Sequence, residues 1–272
     1  MTVKLFIGGR RVDALDAGDR GLAYGDGLFE TLRLHQGRPV WWDAHLDRLA
    51  MGAARLGIDP PERRWLRAQA DPMMAGDGVL KLILTRGSGG RGYAVPEPAQ
   101  PTLLLARHPL PPPCPPGGLM LRWCRLQLAA QPLLAGLKHL NRLEQVLARA
   151  EWRDPAIDEG LLCDADGNLV SAVSGNVFLR FAGRWLTPRL DACGIAGICR
   201  AWLIDAIDAH VVDIARADVE RADALFVCNS VRGILPVAGL DGRYWPPDAE
   251  TRRVRGRLAD VQPAFGQAME SM

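Results

Sequence analysis

The chain has 272 residues, of which 48% are hydrophobic and 24% are charged, and its formal net charge is +2. This composition is ordinary for a folded protein and gives no basic tract for nucleic acid or a membrane surface. The first apolar run is too short for a signal peptide, and no run is long enough to span a bilayer. None of the six cysteines forms a C-x-x-C pair. We therefore expect a cytoplasmic protein with reduced thiols.

The first part of the chain predicts short strands and hairpins around one helix. Segment 4–12 (KLFIGGRRV) has two strands around a Gly-Gly turn, and segment 28–40 repeats the pattern with a turn at Gln36-Gly37. Two more strands are predicted within 78–93, where an apolar run enters a glycine-rich loop, and within 102–110. An amphipathic helix that ends near Gly57 is predicted by apolar residues at helical spacing: Trp42, Leu46, Leu49, Ala53 and Leu56.

Segment 109–118 (PLPPPCPPGG) consists mostly of proline and glycine, which favours a stiff connector. We place the domain boundary there. The prediction is a small N-terminal α+β domain over residues 1–108 and a larger C-terminal domain over residues 119–272.

The second part mixes strands with helices. Segments 159–173 and 176–188 each predict a hairpin, with turns at Asp166-Gly167 and Ala182-Gly183. Segment 197–210 predicts a helix after a glycine-containing loop, and segment 222–230 predicts a strand that ends in a loop. The chain shows no internal repeat.

Lys138 lies in the segment GLKHLNRLEQ, just ahead of an apolar helix stripe. The stripe consists of Leu140, Leu143, Leu147 and Ala150, at intervals of three and four. The dipole of a helix disfavours a cation at its start. On these residues alone, an ordinary surface lysine is the simpler interpretation.

Other weak signals fall at the ends of predicted elements. Gly194 and Gly197 precede a helix, where free backbone N–H groups can bind a phosphate. Asn229 and Ser230 end a strand, and His45 and Arg48 share one face of the first helix. Taken singly, the first two are more simply turns, and the third is more simply a solvated helix face.

Seven segments, taken in order, resemble the motifs of one enzyme family. They are DRGLAYGDGLFETLR, HLDRL, TRGSGGRGY, GLKHLNRLEQ, GNVFLR, CGIAGICR and CNSVRGILPV. They are similar to those of the fold-type IV pyridoxal-phosphate enzymes, which include branched-chain aminotransferases, D-amino-acid aminotransferases and aminodeoxychorismate lyases. The resemblance covers about residues 19–237, and RGSGGRGY and GLKHLNRLEQVL most resemble the lyases. It implies a two-domain α/β fold like that of D-amino-acid aminotransferase, with a C-terminal cofactor-binding domain.

The resemblance also implies a site for pyridoxal 5′-phosphate and no metal. Lys138 matches the lysine that forms a Schiff base with the cofactor and later moves protons. The expected phosphate contacts are the Arg48 side chain, the backbone N–H groups of Ile198 and Cys199, and the Ser230 hydroxyl. Arg91 and Tyr93 match a pair that binds the substrate carboxylate.

One position departs from the family pattern. A glutamate that pairs with the pyridine nitrogen is expected five residues before Asn176, where this chain has Ser171. A hydroxyl can hydrogen-bond that nitrogen but does not stabilise its protonated form as a carboxylate does. The resemblance thus implies a cofactor that is a weaker electron sink, which is less harmful to a lyase than to a transaminase.

The expected activity is conversion of 4-amino-4-deoxychorismate to 4-aminobenzoate and pyruvate on the folate route, by a homodimer acting on a small molecule. Two alternatives stay open. One is a D-amino-acid or branched-chain aminotransferase of the same fold. The other is a protein that binds the cofactor, or a partner, without catalysis.

Overall fold

The computed structural model describes residues 2–266 and divides the chain into two compact units. The N-terminal unit comprises the chain through Leu110 together with Leu137–Asn141. The C-terminal unit comprises Pro111–Gly136 and the chain from Arg142 onward. The segment that carries Lys138 thus packs with the N-terminal unit, although it follows the connector by some twenty residues.

The N-terminal unit is a six-stranded antiparallel sheet with helices. Its elements are β1 (Thr2–Ile7), β2 (Arg10–Val12), α1 (Arg20–Tyr24), β3 (Gly27–His35), β4 (Arg38–Pro39), α2 (Trp42–Leu56), α3 (Arg63–Ala70), a 3₁₀ turn (Asp71–Met73), β5 (Gly78–Thr85) and β6 (Thr102–His108). The strand order is β2-β1-β6-β5-β3-β4. Both predicted hairpins are confirmed, β1 with β2 and β3 with β4.

Strand β3 shows how the sequence builds this unit. Its side chains alternate between buried and half-buried positions along the whole strand, as expected when one face of a sheet meets the core. Leu28, Leu32 and Leu34 enter the core, where they meet the buried face of α2. The predicted helix is confirmed as α2, and Gly57 ends it in the left-handed conformation at φ 66°.

The C-terminal unit contains a nine-stranded mixed sheet. Its elements are β7 (Leu119–Leu128), α4 (Leu143–Arg149), β8 (Glu159–Asp164), β9 (Leu169–Ala172), β10 (Asn176–Phe181), β11 (Arg184–Pro188), α5 (Ile198–Ala206), β12 (His210–Val212), α6 (Arg216–Arg221), β13 (Ala224–Asn229), β14 (Gly233–Leu240), β15 (Arg243–Tyr244), α7 (Ala249–Val261) and a 3₁₀ turn (Pro263–Phe265). The strand order is β12-β11-β10-β13-β14-β7-β8-β9, and β15 pairs with β14. No helix in residues 2–266 is long and apolar enough to cross a membrane.

Local signals again match this unit. Strands β8 and β9 pair antiparallel around the turn that contains Gly167, and β10 and β11 pair around Ala182 and Gly183. Ala182 and Gly183 have φ values of 47° and 78°, the conformation of a tight hairpin turn. The strand predicted within 222–230 is β13, and the helix predicted within 197–210 is the shorter α5.

The helix predicted after Lys138 forms as α4, but its predicted start was wrong. Helix α4 begins only at Leu143, and Leu143 and Leu147 are 69% and 54% exposed. The Lys138 carbonyl instead accepts a hydrogen bond from Phe29 N at 2.9 Å, and Leu140 N donates to Gly27 O at 3.0 Å. Because β3 takes these backbone groups, the segment runs as an irregular strand-like stretch, and the helix-dipole argument does not apply to Lys138.

Candidate active site

Lys138 is held against strand β3. Besides its backbone bond to Phe29, its ammonium nitrogen lies 4.2 Å from the centre of the Phe29 ring. The neighbouring His139 forms a bridge with Leu28. The side chain is half-buried. A primary amine is thus held beside the beginning of β3.

Two glycines explain how this segment comes so close to the GDG motif. Gly25 has φ 66°, and a Cβ there would lie 2.4 Å from Asn141 Oδ1. Asn141 Nδ2 also donates to Gly25 O at 3.1 Å. At Gly27 a Cβ would lie 2.4 Å from Leu84 O. Any side chain at either position would push the Lys138 segment or strand β5 away.

Arg48 is fixed by a buried carboxylate. Arg48 Nε and Nη2 donate to the two oxygens of Glu30 at 2.8 and 2.5 Å. His45 Nδ1 lies 2.6 Å from Glu30 Oε2, and both side chains are essentially inaccessible to solvent. The expectation of a solvated helix face was wrong, because the carboxylate on β3 draws both side chains of α2 inward.

The hydrogen bonds among Glu30, His45 and Arg48 determine the charge state of each side chain. Burial by itself raises the pKa of Glu30, but the bonds from Arg48 and His45 hold it below its ordinary value. Burial lowers the pKa of His45. We therefore assign an anionic Glu30 between a cationic Arg48 and a neutral His45 whose Nδ1 carries the proton. The buried His45 Nε2 has no hydrogen-bond partner among the described residues.

Sequence reasoning missed Glu30 as a functional residue. The available signal was its position in the alternation of β3, where it occupies an inward position between Leu28 and Leu32. A carboxylate among buried apolar residues needs buried hydrogen-bond donors or cations as partners, and the strand pattern does not show which residues supply them. They lie 15 and 18 residues further along the chain, on α2.

Arg91 and Tyr93 lie in the loop between β5 and β6. Both side chains are exposed, Tyr93 at 85%, and the Tyr93 ring centre is 5.4 Å from that of Tyr24. The loop backbone is held by Arg20, which donates to the carbonyls of Gly92, Tyr93 and Ala94 at 3.1 to 3.2 Å. The structure fixes the path of this loop but does not bring these two side chains together with Lys138.

In the C-terminal unit, Ile198 and Cys199 form the first turn of α5, and both are buried. Gly197 precedes them as the N-cap residue, without a side chain to occupy the backbone N–H groups. A Cβ at Gly197 would lie 2.1 Å from Asn176 Oδ1, so only glycine fits. Asn176 Nδ2 braces the loop by donating to Ile195 O at 2.9 Å. This geometry suits the binding of an anion at the helix start.

Ser230 follows β13 in a turn that Asn229 organises. Asn229 Oδ1 accepts hydrogen bonds from Val231 N at 3.0 Å and Arg232 N at 2.8 Å. Asn229 Nδ2 donates to Ser174 O at 3.2 Å. Ser230 is half-buried. Asn229 thus shapes the turn that presents Ser230, as the simpler interpretation of these residues predicts.

Ser171 lies on β9, 8% exposed, opposite Leu162 of β8. Within residues 2–266 its hydroxyl makes no recorded hydrogen bond, in contrast to the nearby Ser174. The Ser174 hydroxyl and backbone N–H both donate to Glu159, a buried carboxylate that sequence reasoning missed. Burial raises the pKa of Glu159. Glu159 thus fixes the strand end between Ser171 and Asn176.

These features are those of a known class of proteins. Residues 27–240 match the family described as amino-transferase class IV, and the chain belongs to that family. The predicted fold-type IV architecture is thereby confirmed, and solved structures of the fold match it closely.

Similar proteins include two lyases and an aminotransferase. A crystal structure of 4-amino-4-deoxychorismate lyase from Pseudomonas aeruginosa is 45% identical in sequence, with a TM-score of 0.88 over 95% of this chain and 99% of that one. Aminodeoxychorismate lyase of Vibrio harveyi is 30% identical over 89% of this chain and 94% of its own length. A putative branched-chain-amino-acid aminotransferase of Methanocaldococcus jannaschii is 29% identical over 97% of this chain and 98% of its own length.

Proposed function

We propose that the protein is a pyridoxal-phosphate-dependent 4-amino-4-deoxychorismate lyase that releases 4-aminobenzoate and pyruvate. The observation that carries this proposal is the 45% identity to the Pseudomonas aeruginosa lyase over nearly the whole length of both chains. The free state of all six cysteines suits the cytoplasm, where we place the enzyme.

The donor groups present in the chain fit the cofactor. In the N-terminal unit, we assign the Lys138 amine to the cofactor aldehyde and Arg48 to its phosphate. In the C-terminal unit, we assign the N–H groups of Ile198 and Cys199 and the Ser230 hydroxyl to the phosphate. A guanidinium, helix-start amides and a hydroxyl are the donors that a dianionic phosphate requires.

When bound, pyridoxal phosphate supplies an electron sink for the charge that develops on the substrate carbon bearing nitrogen. The Lys138 amine takes the proton from that carbon. The enolpyruvyl oxygen leaves from the neighbouring ring carbon, and the ring becomes aromatic. The enolpyruvate then takes up a proton to become pyruvate. Ser171 is assigned to the pyridine nitrogen, which its hydroxyl can hydrogen-bond without adding a charge.

We also propose a homodimer, in which Arg91 and Tyr93 act as substrate-carboxylate contacts. Both side chains are exposed in the single chain. Helix α4 adds an apolar surface suited to a second copy, because Leu143, Val146 and Leu147 are 54% to 69% exposed. Sedimentation of the purified protein tests this: a monomer at micromolar concentration would contradict it.

Two assays separate the lyase from its alternatives. Pyruvate release from 4-amino-4-deoxychorismate supports the lyase, whereas formation of glutamate from 2-oxoglutarate and an amino acid supports the aminotransferase that the Methanocaldococcus jannaschii relative suggests. The second assay is borohydride reduction. A yellow preparation that borohydride bleaches, with the reduced cofactor attached to Lys138, rules out a non-catalytic module without a covalent cofactor bond. Absence of pyruvate release by the cofactor-loaded protein would refute the proposed function.

A further inference from the structure

Phe29 has a second ammonium group beside its ring. The nitrogen of Lys81 lies 5.5 Å from the ring centre, and that of Lys138 lies 4.2 Å from the same point. The two nitrogens are therefore no more than about 10 Å apart. The chain contains only three lysines, with Lys4 as the third, and uses arginine for its other basic side chains. Two of the three lysines thus meet at one ring.

Lys81 lies on the sheet face that turns away from the core. Its neighbours Leu80 and Leu82 on β5 are fully buried in the core, so alternation directs Lys81 to the opposite face. Phe29 likewise alternates with the buried Leu28 and Glu30 on β3. Lys81 and Phe29 therefore share the face of the sheet on which the Lys138 amine lies.

This lysine has no carboxylate partner within residues 2–266, where its one recorded side-chain contact is the Phe29 ring. Its in-register neighbours on the two flanking strands are Thr31 and Ala106, which are uncharged. Strand β5 lies inside the sheet, and the Lys81 side chain is half-buried. The Lys81 ammonium has lost part of its hydration and contacts an aromatic ring but no anion. This partial burial of a charge is unfavourable unless a ligand supplies the anion.

We propose that the Lys81 ammonium binds the ring carboxylate of the substrate and thereby selects an amino compound with a distant carboxylate. The inference rests on the proposed lyase function. In 4-amino-4-deoxychorismate the ring carboxylate stands across the ring from the amine that Lys138 must meet. Ring geometry places its oxygens about 6 to 7 Å from that nitrogen, and a charge-assisted hydrogen bond adds about 2.8 Å. The sum, about 9 to 10 Å, compares with the upper limit of about 10 Å on the separation of the two lysine nitrogens.

The test compares two ligands of similar size and shape, one with a carboxylate and one with a neutral amide. Binding of 4-aminobenzoate and of its neutral analogue 4-aminobenzamide to the cofactor-loaded protein is measured by calorimetry, for the unmodified protein and for Lys81→Met, which keeps the apolar stem. We expect Lys81→Met to weaken the binding of 4-aminobenzoate by about 10- to 100-fold, the range for a lost hydrogen bond to a charged group. Binding of 4-aminobenzamide should stay within about threefold.

Two further variants serve as controls. Lys81→Arg keeps the cation and should recover most of the 4-aminobenzoate affinity. Lys4 lies on the same unit, where its Nζ donates to Gln69 O, and Lys4→Met should leave the affinity for both ligands unchanged. In turnover, Lys81→Met should raise KM far more than it lowers kcat. The pH midpoint of the visible absorption band should rise, because removing a nearby cation favours the protonated chromophore.

Equal losses for both ligands in Lys81→Met, or no loss for 4-aminobenzoate, would overturn the proposal. So would a Lys81→Arg variant that behaves like Lys81→Met. Pyruvate release by the unmodified protein decides the lyase function separately. The ligand comparison needs no turnover, so failure of one idea is distinguishable from failure of the other.

Discussion

Replacing Glu30 by glutamine removes the charge that holds Arg48 and His45 together. The side chain keeps its size and one acceptor oxygen, but its amide N–H groups then face donors on both partners. Glu30 is 1% exposed and Arg48 is 10% exposed at the side chain, so water cannot take over the lost contacts. The substitution leaves Arg48 as a buried cation without its anion.

The expected cost follows from this burial. Removing one partner of a buried ion pair costs about 3 to 5 kcal/mol, and we expect Glu30→Gln to lie near the lower limit, about 3 kcal/mol at neutral pH. The pKa of Glu30 is lower in the folded protein than its ordinary value of 4.5. The stability it contributes is therefore complete above about pH 4.5 and is lost as the pH falls through the folded pKa. The difference between the two proteins should shrink there.

Hydrogen–deuterium exchange of peptides from α2 measures the local opening free energy within this unit. The matched control is Asp47→Asn on the same helix, where Asp47 pairs with Arg63 at 2.5 Å but both side chains are more than half exposed. An exposed pair contributes at most about 1 kcal/mol, so Asp47→Asn should scarcely change the exchange of α2.

Equal losses in Glu30→Gln and Asp47→Asn would refute the argument, because burial would then make no difference. A loss in Glu30→Gln that stays constant from pH 7 down to pH 3 would also refute it. In that case the carboxylate charge would not be the source of the stability.

Three other substitutions test the assigned site. Lys138→Ala should abolish turnover and the borohydride-reducible chromophore, because the reacting amine is gone; full turnover would remove Lys138 from the mechanism. Arg48→Ala should weaken cofactor affinity by about 10- to 100-fold with unchanged secondary structure, as equilibrium dialysis would measure; unchanged affinity would show that its bond to Glu30 is purely structural. Ser171→Glu should favour a protonated pyridine ring in nitrogen-15 spectra and add slow amino transfer; a ring already protonated in the unmodified protein would contradict the role of Ser171.

Much of the local structure could be predicted because its causes are local. The turn at Ala182-Gly183 needs positive φ at both residues, and Gly57 ends α2 for the same steric reason. The period of the apolar residues in α2 was sufficient to place that helix. The order of the seven motifs was sufficient for the family, since no tertiary information was needed to match residues 27–240.

The same kind of pattern failed where distant strands competed for the backbone. Leu140, Leu143 and Leu147 have helical spacing, but Gly27 and Phe29 take the hydrogen bonds of the first turn. The apolar residues that remain in α4 face outward in the single chain. Apolar periodicity indicates the structure that a segment can form by itself. It does not indicate whether another segment forms hydrogen bonds with its backbone.

The sequence by itself determined the family and most strands and turns of this protein, because these depend on residue type, order and neighbours in the chain. Only the tertiary structure showed that the buried Glu30 accepts hydrogen bonds from Arg48. It also showed that Lys81 and Lys138 both lie beside the Phe29 ring. The physical reason is that burial and charge pairing depend on groups that are distant in sequence. A carboxylate in a strand and a cation on a helix are both costly when buried alone, and only folding determines that they are buried together.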